Sequence, residues 1–222
     1  MTSLSAPAVA EDLGRHGAWR FTREHVVAAE LVQVFHGLYE AAFGPLRTRS
    51  MARQVLTAAE FAEQMANGDV VKYVAWTPEG EPVGMAALTN RLSTVPWISP
   101  EYFAARYPDQ WARGAVWYFS FVLAHPDLRH LKFIDQLVEV GVNALVEQDA
   151  VCAYDMCAYN DDLLGLGQRA AEVFERTAAA RSRRADAQYY YEVDFGPGGA
   201  VQGSPTIPLS HLGPAAPGRL GT

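Results

Sequence analysis

A run of nine residues, VWYFSFVLA (Val116–Ala124), passes through His125-Pro126 into LKFIDQLVEVGVNAL, whose apolar residues recur at helical spacing. A continuously apolar run of this length reads as a strand covered on both faces, and a strand that feeds a helix through a short turn is half of a crossover unit. The pair predicts a layered α/β domain with this strand near the centre of its sheet and Phe133, Leu137, Val140 and Leu145 of the helix turned onto it. The run is far shorter than the roughly 20 apolar residues needed to cross a bilayer.

The rest of the chain fits the same frame. AWRFTRE (18–24) is a plausible first strand, and HVVAAELVQVFHGLYEAAF is a helix with Val27, Leu31, Val34, Leu38 and Ala42 on one stripe, closed by Gly44-Pro45. TAAEFAEQMANG carries Thr57 and Glu60 at capping-box spacing and ends at Asn67-Gly68. VVKYVAW and VGMAALTNRL, joined by TPEGEP, predict an antiparallel hairpin. The segment 93–114 breaks the pattern with three prolines and bulky aromatics, and reads as a structured excursion with a short helix near 101–107 that either packs over the sheet edge or serves as a lid. AVCAYDMCAYN (150–160) predicts a strand, 161–180 a helix weakened at Gly165 and Gly167, and DAQYYYEVDF (186–195) a last strand. The expected organisation is a flexible leader over 1–17, one domain over 18–196 and a disordered Gly- and Pro-rich tail over 197–222.

With 222 residues, half of them hydrophobic, the chain can bury one sizeable core. A formal net charge of −7 argues against a general nucleic-acid binder, which needs a basic face. Cys152 and Cys157 fall five apart in one predicted strand, point to opposite faces and are poorly placed to pair. With no secretory signal, cytoplasmic location is the default expectation. No histidine set shows metal-ligand spacing, so no metal is expected. Lysine occurs only at Lys72 and Lys132, against many arginines, alanines and glycines, the bias of a GC-rich genome.

The turn after the central strand is the first candidate site. A helix N-terminus presents unpaired N–H groups that favour an anion, and Arg129, His130 and Lys132 crowd the expected start of the helix. Three bases at a positive helix end are unfavourable without an anion, although solvated surface residues are the alternative reading.

The order strand, two helices, three strands, helix, strand, helix, strand resembles the GCN5-related N-acetyltransferase (GNAT) family over about residues 18–196, which implies a mixed α/β fold with a central sheet of six to seven strands flanked by helices. In that family the strand before the turn ends in Val-x-Pro-x-x-Arg-x-x-Gly-x-Gly or Ala, with a leucine three places on, and the loop holds the pyrophosphate of acetyl-CoA. Pro126, Arg129 and Leu137 match, while Lys132 and Ile134 stand where both glycines belong. Lys132, with Arg129 and His130, can meet phosphate by charge instead of by backbone approach. An Asn in the family closes the next strand, matched by Asn160. A Tyr about seven residues later protonates the leaving thiolate; here Gly167 stands near that place, leaving Tyr154, Tyr159 or Tyr118 as replacements or as sheet packing.

The resemblance implies an acyltransferase that moves an acyl group from acyl-CoA, or from acyl-phosphopantetheine on a carrier protein, to an amine of a small molecule. A backbone N–H near Phe121–Ala124, with Leu123 and Ala124 beside the acyl-pantetheine arm, would polarise the carbonyl. Asp155, a charge inside an apolar predicted strand, reads as a base, an amine anchor or a cap for a neighbour's polar group, and His125 as a base or a turn residue. A homodimer is a possible assembly. A catalytically inactive binding or regulatory module of the same fold is the alternative, favoured by both missing glycines and the missing tyrosine; an unrelated α/β binding protein is a third.

Overall fold

The computed structural model describes residues 10–128, 132–178, 180–193 and 195. Through Ala185 the chain is one compact unit: a six-stranded sheet with strands in sequence order, β1 (Glu11–His16), β2 (Trp19–Glu24), β3 (Val70–Trp76), β4 (Pro82–Thr89), β5 (Val116–Ala124) and β6 (Val151–Ala153). The first five are antiparallel to their neighbours, and β6 runs parallel to β5. The parallel step is the one that needs a crossover, supplied by α5 (Phe133–Val146). The mixed sheet flanked by helices is the fold class expected from the element order.

Each face has its own core. On one, α5 and α6 (Leu166–Ala178) cover Val71, Tyr73, Ala86, Leu88, Trp117 and Phe119. On the other, α1 (Ala29–Phe43) and α2 (Ala58–Ala66) cover Val70, Val74, Met85, Ala87, Phe121 and Leu123, while the aromatic excursion between β4 and β5 holds two short helices, α3 (Pro100–Arg106) and α4 (Pro108–Ala112). Phe133, Leu137, Val140 and Leu145 are all buried, as the helical spacing requires. Of the stripe expected on α1, Val27, Leu31, Leu38 and Ala42 meet this core, but Val34 is 45% exposed and the rings of Phe35 and Tyr39 are buried in its stead, since they bury more apolar area than a valine. The Thr57 capping box forms, with the Glu60 N–H donating to Thr57 Oγ1 at 3.2 Å and the Thr57 N–H to Glu60 Oε2 at 2.7 Å.

Four sequence expectations are corrected. Residues Glu11–His16, placed in the leader, form edge strand β1, with the Asp12 carboxylate accepting from the Gly14 N–H at 2.9 Å; the strand lacks an apolar alternation because it buries almost nothing. The strand expected over 150–160 is three residues long. The helix expected over 161–180 starts at Leu166, since Gly165 takes φ +65° after a π-helical turn at Tyr159–Leu163. Residues 186–193, in the second unit, hold no regular element; Tyr189, Tyr190 and Tyr191 are all exposed, so their pattern has no face to bury. Cys152 and Cys157 are free thiols that pack into opposite cores.

A candidate acyl-transfer site where β5 and β6 part

Tyr118 marks the end of strand pairing. β6 meets β5 at only three positions, Val116↔Val151, Trp117↔Cys152 and Tyr118↔Ala153, and among the described residues nothing continues the ladder along Phe119–Ala124. The cause lies two residues on. Across β4, Ala87 pairs with Phe121 but Leu88 with Phe119, so Ser120 is an extra residue that bends and twists the strand. Phe119 then faces α5 and Phe121 faces α1, and the outer edge of β5 carries backbone donors and acceptors without a strand partner. Ser120 and Val122 on this stretch are half-buried.

A polar cluster stands at the mouth of the parting. The Tyr118 hydroxyl, on a side chain 1% exposed, donates to Asp155 Oδ1. Trp97 Nε1, from the aromatic excursion, donates to the Tyr118 oxygen at 2.9 Å and to the same Asp155 oxygen at 3.2 Å, its ring edge-on to Tyr118. No other described side chain donates to this carboxylate. Partial burial pushes the Asp155 carboxyl above its ordinary value, and the Trp97 hydrogen bond pulls the other way. Asp155 itself stays exposed, so the rise is restrained by the water it keeps. A carboxylate with one oxygen tied to two donors and a raised affinity for protons is equipped to hold an ammonium or take its proton.

The other residues singled out from the sequence are spread apart. Tyr154 turns to the opposite face, its ring against Phe174 and its hydroxyl 3.3 Å from Ser182 Oγ, so the Asp155 cluster does not include it. His125 lies at the far end of β5, about 20 Å from Tyr118 along the strand; its N–H donates to Val83 O at 2.8 Å, and its exposed ring sits 3.7 Å from the Asp127 carboxylate. Leu123 and Ala124 are buried on opposite faces of the same strand. Asn160 is in the π-helical turn, its N–H donating to Cys157 O at 2.9 Å. Arg129 and His130 lie outside the described residues. Lys132 is exposed at the N-cap of α5 and makes no capping hydrogen bond.

The first turn of α5 already carries an anion. Asp135 is largely buried and meets Arg169 at 3.5 Å and Arg176 at 3.3 Å, both from α6. These groups, with Gln168 and Glu172, line a cavity of 360 Å³ between the two helices. At Gly167 a Cβ would meet the Asp161 carboxylate, which pairs with Arg184, so a side chain here requires that carboxylate to swing aside.

Lys72, the other lysine, is fully buried on the α1/α2 face and donates to His25 O at 2.8 Å and Asn67 O at 2.7 Å. Burial drives its pKa down to about 7, while the Glu24 carboxylate opposite it on β2 pulls the other way. Sequence reading picks out Asp155 as a charge among apolar residues; it gives Trp97 no role beyond the aromatic excursion.

Among the described residues, no three histidine, cysteine or acidic side chains gather to hold a metal, and no helix is long and apolar enough to cross a membrane. These features define a mixed sheet parted at its parallel edge with a carboxylate at the opening. No family model matches the sequence, and no curated protein matches it at a significant level. Solved structures similar in shape include acetyltransferases. One is the aminoglycoside acetyltransferase meta-AAC0020 from an uncultured soil metagenomic sample, in complex with sisomicin, at 10% identity over 80% of this chain and 97% of that chain, TM-score 0.46. Another is a ribosomal-protein-alanine N-acetyltransferase from Brucella melitensis biovar Abortus 2308, at 11% over 80% and 100%, TM-score 0.47. A third is the aminoglycoside 6'-N-acetyltransferase AAC(6')-Ih from Acinetobacter baumannii, at 10% over 80% and 99%, TM-score 0.46. At such values the likeness lends this chain neither a substrate nor a mechanism.

Proposed function

We propose that this protein is an N-acyltransferase of the GNAT type that moves an acyl group from a pantetheine thioester, on CoA or on a carrier protein, to an amine of a small molecule. The observation that carries the reading is the parting of β5 from β6 beyond Tyr118, with Asp155 at its mouth. A pantetheine arm is a chain of amides, and the unpaired edge of β5 offers it the partners a sixth strand would otherwise take. Lys132, exposed at the start of α5, is the cation this reading assigns to the phosphates.

The reaction needs a neutral amine and a protonated leaving group. Asp155 takes the proton from the amine nitrogen as that nitrogen bonds to the acyl carbon and the carbon–sulfur bond breaks. Tyr118 gives its phenolic proton to the departing thiolate and recovers one from Asp155 through the hydrogen bond they share, so one proton passes in net from amine to thiol. A backbone N–H of the β5 edge polarises the thioester carbonyl.

A second reading, a non-catalytic binding module of this fold, is favoured by Asp135, which fills the anion-attracting first turn of α5 with the protein's own charge. Thiol release from acetyl-CoA, a longer acyl-CoA and acylated carrier protein, each with a panel of amines, separates the two. Release that requires both amine and Asp155 supports transfer; no release from any of the three donors overturns it.

A further inference from the structure

Trp97 reaches the site without being packed into it. The chain turns tightly at Val95–Ile98, where the Ile98 N–H donates to Val95 O at 3.3 Å; Pro96 and Trp97 lie between, and proline suits the first of these two places. Both ends of the turn are fastened. Val95 is buried with Leu92 and Phe103 against Val116 and Tyr118, and Ile98 packs on the same cluster. Trp97, at the tip, is 50% exposed. Beyond an edge-on contact with the Tyr118 ring, what fixes its indole is the N–H, which reaches two oxygens at once: the Tyr118 hydroxyl at 2.9 Å and Asp155 Oδ1 at 3.2 Å. An N–H shared between two acceptors bonds more strongly to whichever carries the negative charge.

Tyr118 and Asp155 exchange a proton in the reaction set out above. Before the amine reacts, the charge is on Asp155. Once Asp155 has taken the amine's proton and Tyr118 has given its own to the thiolate, the charge is on the phenol oxygen; a proton returned from Asp155 restores the start. The charge thus travels between two oxygens that one indole N–H already spans, with no side chain turning. Among the described residues no cation pairs with Asp155, and Tyr107, which packs on the same cluster, has its hydroxyl taken by Arg183 at 2.9 Å.

We infer that Trp97 is a positioning residue whose N–H follows the negative charge from the Asp155 carboxylate to the Tyr118 oxygen and back, holding the first as a base and the second as an acid. Burial of Asp155 favours its protonated form, and the Trp97 hydrogen bond is the side-chain contact that opposes this. The part in turnover rests on the acyl-transfer reading; the hold on Asp155 does not.

The test removes the donor and keeps the ring. Benzothienylalanine in place of Trp97 in the full chain puts sulfur where the N–H stands, and Trp97→Phe is the simpler counterpart. Carbon NMR of the carboxyl, assigned with Asp155→Asn, follows the titration of Asp155. Loss of the donor is expected to raise that midpoint by about one pH unit, the scale of one hydrogen bond to a charged group, while the melting temperature moves little. A midpoint that stays or falls in the benzothienyl variant overturns the inference. Kinetics report separately: kcat is expected to fall about ten-fold with the KM for the amine nearly unchanged, and the acid limb of kcat/KM to move up with the NMR midpoint. Undiminished kcat with an unmoved limb overturns the inference and keeps acyl transfer, while a raised midpoint in a protein that transfers no acyl group keeps the hold on Asp155 and overturns acyl transfer.

Discussion

The ring of Phe133, the first residue of α5, fills the space that a side chain on Gly84 of β4 would need: its Cε1 lies 2.6 Å from where a Cβ would sit. The same ring meets Trp19 of β2 edge-on at 5.3 Å, so one aromatic anchors the start of the crossover helix to two strands. Gly84→Ala is expected to cost about 1–3 kcal/mol by overpacking, read by chemical denaturation. Phe133→Leu in the same chain should recover part of that loss, a coupling that a double-mutant cycle measures.

Asp155→Asn keeps the shape of the cluster and removes the base. On the acyl-transfer reading, kcat/KM should fall about 100-fold or more while the melting temperature moves little. In the wild type the rate should decline as pH falls through a value above the ordinary carboxylate range, since burial raises the Asp155 pKa, and that limb should vanish in the variant. An unchanged profile would remove Asp155 from the chemistry.

Lys72 makes stability depend on pH with a definite sign. Its folded pKa is lowered to about 7 from the ordinary lysine value of 10.5, so between these limits the unfolded chain holds more protons than the folded one. Stability should rise with pH across that window, by at most about 1.4 kcal/mol per pH unit, and be flat from this source below it. Lys72→Met should abolish the rise, as denaturation midpoints from pH 6 to pH 10 would reveal; a slope that persists in the variant assigns the effect elsewhere.

Gly167→Ala should cost less than about 1 kcal/mol by chemical denaturation, because its Cβ displaces only the end of the Asp161 side chain while alanine suits helix α6 better than glycine. Asp161→Gly should relieve most of that cost in the double variant and, alone, leave Arg184 to Asp162, 3.3 Å away. Additive losses would contradict the collision.

Much of the frame is legible in the sequence because each element is locally consistent: the Thr57–Glu60 spacing becomes a capping box, and the apolar positions of α5 become its buried face. The bulge at Ser120 is not, since VWYFSFVLA is apolar almost throughout and shows no alternation for a shifted residue to disturb. For the same reason the early end of β6 was hidden; it follows from the bend of its neighbour and not from its own residues. Asp155 stands out in the sequence as a charge among apolar residues, whereas Trp97 carries no signal: its part is the hydrogen bond it donates to Asp155 from a segment 58 residues earlier, which only the fold brings out.

The one-residue bulge has a consequence for the whole interior. Upstream of Ser120 the odd-numbered side chains, Trp117 and Phe119, belong to the α5/α6 core; downstream the odd-numbered ones, Phe121 and Leu123, belong to the α1/α2 core. A regular ladder that kept Ser120 in register would exchange the contents of the two cores along the rest of the strand, sending Phe121 and Leu123 into space shaped for Val122 and Ala124. The opening at the sheet edge and the filling of both interiors are thus a single solution, and the fold cannot close the one without repacking the other.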